Sequence, residues 1–200
     1  DWGQQDNISY LVSEFVEGTP LSKKISRHGM PLQELAPILE QIVEGLGYAH
    51  GLGVVHRNLK PDNVMVREDG GVKLVDFGLA RDQNVETLTK AGRAIGTPEY
   101  MAPEQVTRMP SRKELTDKTD QYALGVLIFE ALSGRRPFEW DDPVKLIEMH
   151  VREIPPSLSQ FCPDLPGAVE AVVARMLSKR AEDRFASVHE AGQAFKAALA

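Results

Sequence analysis

What this chain has little of narrows its chemistry first. Among 200 residues there is one cysteine, Cys162. That excludes an internal disulfide and any metal site built on several thiolates. Cys162 stands between Phe161 and Pro163 with no histidine beside it, which suits a half-buried loop thiol better than a nucleophile. Such sparing use fits a reducing compartment. Positive charge is not in excess either: 23 Lys and Arg against 29 Asp and Glu give a net charge of −6. With no basic footprint, no nucleic-acid partner is expected. Long apolar runs are missing as well. The most apolar window, Tyr122 to Leu132, is too short to cross a bilayer. The opening Asp1-Trp2-Gly3-Gln4-Gln5-Asp6 has neither the basic start nor the apolar stretch of a leader. No membrane segment is expected in these residues, and the expected location is cytoplasmic, with an anchor elsewhere left open. Internal repeats and low-complexity tracts are absent.

What is there reads as one ordinary domain, or a large piece of one, at 42% hydrophobic and 26% charged residues. Ile8 to Val16 has the β-branched and aromatic content of a strand, ended by Glu17-Gly18-Thr19-Pro20. Leu21 to His28 reads as a short helix interrupted by Met30-Pro31. From Leu35 to Ala49 the apolar positions Leu35, Ile38, Leu39, Ile42, Val43, Leu46 and Ala49 recur at helical spacing. Pro37 falls in the first turn of that helix, and Gly51 and Gly53 mark its end. Gly45-Leu46-Gly47 is helix rather than a phosphate loop, because position 50 is His50 and no strand feeds it.

Asp69-Gly70-Gly71 signals a turn, so Val64–Arg67 and Val72–Leu74 read as a small hairpin. Residues 76–104 are poor in apolar side chains and too long for a simple connector, which marks a functional loop. Tyr122 to Leu132 is apolar all round and must be a buried helix. Further helices are expected over Pro143–Val151, Ala168–Leu177 and Ser187–Ala200. Ser187 and Glu190 offer a capping box for the last. His28, His50, His150 and His189 show no metal-ligand spacing.

Three motifs organise this pattern. His56-Arg57-Asn58-Leu59-Lys60-Pro61-Asp62-Asn63 is followed by Asp76-Phe77-Gly78, and then by Gly96-Thr97-Pro98-Glu99-Tyr100-Met101-Ala102-Pro103-Glu104. In that order and spacing they resemble the catalytic loop, metal-binding loop and activation-segment end of eukaryotic-type serine/threonine protein kinases. Gly96 to Gln105 and the turn Ala181-Glu182-Asp183-Arg184-Phe185 look most like the bacterial branch. The resemblance covers about Tyr10 to Leu199.

The resemblance implies an α+β, mainly helical fold: the large, C-terminal lobe with one hinge strand and a small β-hairpin. Residues 1–18 would be the last small-lobe strand and the hinge, and 19–200 the C-terminal lobe. Most of the N-terminal lobe, with its glycine-rich loop and strand lysine, has no counterpart here. Lys23 and Lys24 lie on the wrong side of the hinge to replace that lysine. Apolar surface that would face the missing lobe is then expected to be exposed and to want a partner.

Site residues follow by the same resemblance. ATP and Mg²⁺ are the implied cofactors. Ser13 takes the gatekeeper position, and the hinge from Glu14 to Val16 holds the adenine edge. Asp76 bridges metal to the phosphates and Asn63 holds a second ion; read alone, Asp76 would cap a turn and Asn63 would satisfy loop backbone. Lys60 contacts the γ-phosphate, or is a solvated loop lysine. Thr97 helps form the pocket beside the phosphoacceptor, a Ser or Thr of a protein substrate.

His56 and Phe77 stack the two loops, with Gly78 completing the metal-loop motif. Asp120 accepts backbone N–H groups of the catalytic loop. Glu104 and Arg184 pair to fix the end of the activation segment, or form a weak exposed pair. Arg57 receives a phosphate carried by Thr87 or Thr89.

One position departs from the family. Asn58 stands where it has the aspartate that accepts the substrate hydroxyl's proton. Asn keeps the size but takes no proton. Impaired phosphoryl transfer and a pseudokinase acting as a nucleotide-binding, scaffolding or allosteric module are both open at this stage.

Overall fold

The computed structural model describes residues 2–5, 8–77, 98–107 and 115–199. Helix dominates it. Strands β1 (Trp2–Gln5) and β2 (Ile8–Leu11) form an antiparallel hairpin with Gly3 opposite Tyr10. A separate three-stranded antiparallel sheet has the order β3 (Thr19–Pro20), β4 (Val64–Val66), β5 (Val72–Leu74). The strand expected over Ile8 to Val16 is therefore shorter than its composition indicates, and it pairs with a second strand, β1. The strand stops at Leu11, and the chain re-enters a sheet only at Thr19, opposite Val66. β-Branched and aromatic content marked β propensity here but not where pairing partners end.

The short helix expected at Leu21–His28 is also corrected. Only Leu21–Lys23 forms a 3₁₀ turn; Ser26 and Gly29 then bridge, and Ser26 Oγ donates to the Gly29 carbonyl at 2.6 Å. Serine's local hydrogen bonding competes with helix in this way. Helix α1 spans Leu32–Gly51 and begins three residues before the first expected position. Pro37 is thus in its second turn. The carbonyl its missing N–H leaves unserved is that of exposed Gln33, where water can replace the bond.

Helix α2 is one turn, Glu104–Thr107. Helix α3, Asp117–Ser133, is the axis of the core: Leu124, Val126, Leu127 and Ile128 have no exposed surface. Having no polar face, it owes its stability to burial, worth about 1.5–3 kcal/mol for each such side chain. It ends on Gly134 at φ 74°, whose N–H reaches Glu130. Helices α4 (Pro143–Arg152), α5 (Gly167–Met176) and α6 (Val188–Ala197) follow. Ser187 Oγ accepts from Glu190 N–H at 3.1 Å, while the Glu190 carboxylate accepts from Ala186 N–H at 2.7 Å, one residue outside the expected box. Helix α1 packs on α6, β5 and α3, and α3 on α5 and α6. Cys162 is half-buried, with Sγ donating to the Leu132 carbonyl at 3.3 Å.

Gly29 and Gly134 close the turn where the segment before α1 meets the end of α3. Both have positive φ, and a Cβ on Gly29 would sit 1.9 Å from the Leu132 carbonyl oxygen. Among the described residues no helix is long and apolar enough to cross a membrane.

Candidate active site

The loop from His56 to Asn63 runs between α1 and β4, and Asp76 follows β5. The β4–β5 hairpin, closed by Gly70 at φ 83°, fixes the separation of the two motifs. Val75 N–H donates to the Asn63 carbonyl at 3.0 Å and ties the two ends together.

The loop is anchored from α3. Asp120 is fully buried in the first turn of that helix. Its Oδ2 accepts from His56 N–H and its Oδ1 from Arg57 N–H, both at 2.8 Å. His50 Nε2 lies 2.7 Å from Oδ2. Arg57 and Asp76, at φ 66° and 61°, are the two non-glycine residues with left-handed backbone among those described. Such conformations cost about 1–3 kcal/mol each and persist only where neighbours impose them. For Arg57 the neighbours are visible: Asp120 takes its N–H, and Gln105 Nε2 donates to its carbonyl at 3.2 Å.

His56 has no exposed surface and stacks on Phe77, ring centroids 4.4 Å apart at 41°. Burial lowers its pKa, so the ring is neutral at pH 7. Its Nδ1 accepts from Asn58 N–H at 3.3 Å. Asn63 is buried, and its Nδ2 donates to the Asn58 carbonyl at 2.8 Å. Asn58 is thus held by its backbone from both sides, and its side chain is half-buried.

The donor set fits a hard cation. With Nδ2 committed to Asn58, Asn63 keeps its amide oxygen as the atom with which it could ligate a cation, and Asp76 is exposed with a carboxylate. Mg²⁺ favours few oxygen ligands and keeps its waters. Among the described residues no cluster of three or more His, Cys, Asp or Glu offers a competing metal site.

Other expected residues are placed as follows. Lys60 is half-buried beside Pro61. Glu14 is exposed and bonds Lys73 Nζ at 2.5 Å, a contact that holds its carboxyl below the usual range. Val16 is half-buried. Glu104 and Arg184 meet in a two-point pair at 2.7 and 2.9 Å, 8% and 2% exposed, so the exposed alternative is excluded. Gly78, Thr87, Thr89 and Thr97 lie outside the described residues.

Sequence reasoning missed three participants. His50 carries no motif, yet reaches Asp120. Gln105 holds Arg57 and also accepts from Ala102 N–H at 2.9 Å. Glu130 accepts from the Tyr100 hydroxyl, and burial raises the pKa of both groups. The signal for Glu130 was available: it is the one carboxylate in the apolar run of α3.

Comparison with known proteins agrees with this geometry. The family profile described as protein kinase domain matches residues 1–195. The serine/threonine-protein kinase PknH of Mycobacterium bovis is 39% identical over 201 residues, covering 100% of this chain and 33% of its own length. The serine/threonine-protein kinase PrkC of Bacillus subtilis is 35% identical over 193 residues, covering 95% of this chain and 29% of its own. The chain therefore spans about a third of the length of these relatives. The crystal structure of the Mycobacterium tuberculosis PknI kinase domain superposes with a TM-score of 0.76 at 25% identity, covering 100% of this chain and 69% of that one. By motif order, loop geometry and the family match over residues 1–195, the chain belongs to the protein kinase domain family.

Proposed function

We propose that this chain is the hinge and large lobe of a kinase whose phosphoryl transfer to Ser or Thr of protein substrates is impaired at Asn58. Residues 1–18 act as the last small-lobe strand and hinge, residues 19–200 as the C-terminal lobe. The observation that carries the reading is the state of the catalytic loop around Asn58. Asp120 fixes the peptides before it, His56 Nδ1 accepts from its N–H, and Asn63 donates to its carbonyl. A carboxylate at position 58 would enter a loop whose backbone is already positioned. The asparagine there accepts a hydrogen bond but no proton, and general-base help is worth about 10²–10⁴-fold.

Bound Mg–ATP would supply the transferable phosphoryl group and the charge neutralisation. The chain's own residues supply placement. Glu14 to Val16 take the adenine edge through backbone groups. Asp76 and Asn63 hold the metal, Lys60 lies against the terminal phosphate, and Thr97 borders the acceptor hydroxyl. Phosphate on Thr87 or Thr89 pairs with Arg57, whose Nε is buried with no hydrogen-bond partner. The remainder of the small lobe belongs to a longer parent. Exposed Tyr10, Val12 and Phe15, the last 85% exposed, support that.

The second reading, a pseudokinase serving as a nucleotide-binding, scaffolding or allosteric module, is favoured by Asn58 itself. Labelled phosphate transfer from Mg–ATP to a Ser/Thr protein acceptor tests both, using the parent polypeptide beside its Asn58→Asp variant. Gain of transfer in Asn58→Asp supports the impaired kinase. Equal transfer by both removes Asn58 as the disabling residue. No transfer by either, with nucleotide still bound, supports the module.

A further inference from the structure

Helices α1 and α6 run antiparallel, and their contacts step along the seam about one turn at a time. Val188 lies over Gly47, Gly192 lies against Val43, and Lys196 Nζ donates to Glu40 at 2.8 Å. At Gly192 the helices nearly touch: a Cβ there would sit 2.7 Å from Val43 Cγ1. Two small residues keep the seam from filling, Gly192 with no side chain and Ala36 with a single methyl. A groove of about 540 Å³ lies along it, lined by both helices. Small-molecule sites have volumes of roughly 300–1,000 Å³.

The walls of the groove and its mouth differ in chemistry. Leu39 and Val43 from α1 and Phe195 from α6 are buried, and Leu199, just past α6, joins them at 39% exposed. The charged residues of the lining are Glu40, Glu44 and Lys196, and all three are exposed. Lys196 is committed to Glu40. That hydrogen bond raises its pKa, and the charge of Glu44 adds to the effect. Glu44 itself makes no ion pair among the described residues. Two carboxylates therefore share one ammonium, and the unmatched charge at the mouth is negative. An alkyl chain laid against the walls leaves water, while a cationic group beside Glu44 stays solvated and meets a free carboxylate.

We propose that this groove binds small single-chain amphiphiles with a cationic head, of the alkylammonium class, the chain lying between α1 and α6 and the head beside Glu44. The groove shares no residue with the candidate active site, so the proposal does not depend on the function argued above.

The test titrates the protein, labelled at its leucine and valine methyls, with octyltrimethylammonium at low salt. His189 also lines the groove, so the titration is run at pH 8, where an ordinary imidazole is uncharged. The methyl resonances of Leu39, Val43 and Leu199 should shift to saturation. One exposed charge pair is worth up to about five-fold in a binding constant. Octanoate, with a similar chain and the opposite charge, should therefore bind at least about three-fold more weakly, and added salt should shrink the difference. Two single changes have opposite signs. Glu44→Gln should weaken octyltrimethylammonium by about three-fold, and Lys196→Met, which frees Glu40, should strengthen it by about as much. Ala36→Phe should fill the groove and abolish the shifts, with the urea midpoint reporting that the protein is folded; the two charge variants, at exposed positions, stand whether or not it folds. Absence of saturable shifts overturns the proposal. So does octanoate binding as tightly as octyltrimethylammonium, or an affinity for the cation that Glu44→Gln leaves unmoved, since either would mean a groove indifferent to charge.

Discussion

The carboxylate of Asp120 holds the peptide N–H of Arg57 at 2.8 Å across 63 positions of sequence. The same carboxylate takes His56 N–H and His50 Nε2. One buried side chain on α3 thereby imposes a left-handed residue on the catalytic loop. Replacing Asp120 by Asn leaves one acceptor oxygen for three donors and turns an amide toward one of them. A loss of roughly 3 kcal/mol is expected, read as a lower urea midpoint with an unchanged slope.

The Glu104–Arg184 pair permits a sharper test. Arg184 also donates to the Ser178 and Lys118 carbonyls at 2.9 and 2.7 Å. Arg184→Met or Glu104→Gln should each cost about 3–5 kcal/mol, because the remaining group is buried without its partner. The double change Glu104→Gln with Arg184→Met should cost clearly less than the sum of the two. A double-mutant cycle by denaturant unfolding gives the coupling; additivity would mean that the two groups do not depend on one another.

Acid should destabilise the fold through His150. Burial, with Lys179 and Arg136 nearby, lowers its pKa from 6.5 to about 4. An unfolded chain takes up a proton below pH 6.5 that the folded ring refuses until about pH 4. Stability from this residue is therefore full above pH 6.5 and is lost progressively as pH falls toward 4, by about 3 kcal/mol at most. Urea midpoints measured from pH 7 to pH 4.5 should show the slope, and His150→Gln should flatten it.

Two glycines with similar backbone separate strain from collision. Gly53 has φ 72° with open space where a Cβ would go; Gly29 has φ 78° with the Leu132 carbonyl 1.9 Å from that point. Gly53→Ala should cost about 1 kcal/mol and Gly29→Ala at least twice that. Thermal unfolding of the pair decides it, and equal losses would leave backbone strain as the whole effect.

At the site, Asp76→Ala should remove the Mg²⁺-dependent part of nucleotide affinity in the parent protein, while the His56–Phe77 stack and the fold persist. Titration calorimetry with and without Mg²⁺ reads the difference. Equal nucleotide affinity in the two proteins, with Mg²⁺ present, would take Asp76 out of metal binding.

Legibility in the sequence followed periodicity and motif. The helices from Leu35 to Ala49 and from Tyr122 to Leu132 announced themselves because one-sided or all-round burial leaves a repeating apolar pattern. The hairpin around Gly70 did so through its turn residues. What failed was local and short: Ile8 to Val16 carries strand composition past Leu11, and Leu21 to His28 carries helix composition past Lys23. At that length neighbouring chain decides, and composition does not say which neighbours are present.

The sequence by itself determined the family and the order of the main helices, and it singled out the side chains proposed to carry the chemistry, since these depend on residue identity and spacing along the chain. It also determined the departure at Asn58. The tertiary structure alone decided that Glu104 and Arg184 are buried, and that His50 and Gln105 serve the catalytic loop. Each of these depends on which groups burial brings within about 3 Å of one another and which it shuts off from water. Residues between 48 and 80 positions apart meet there, and no spacing rule along the chain encodes that meeting.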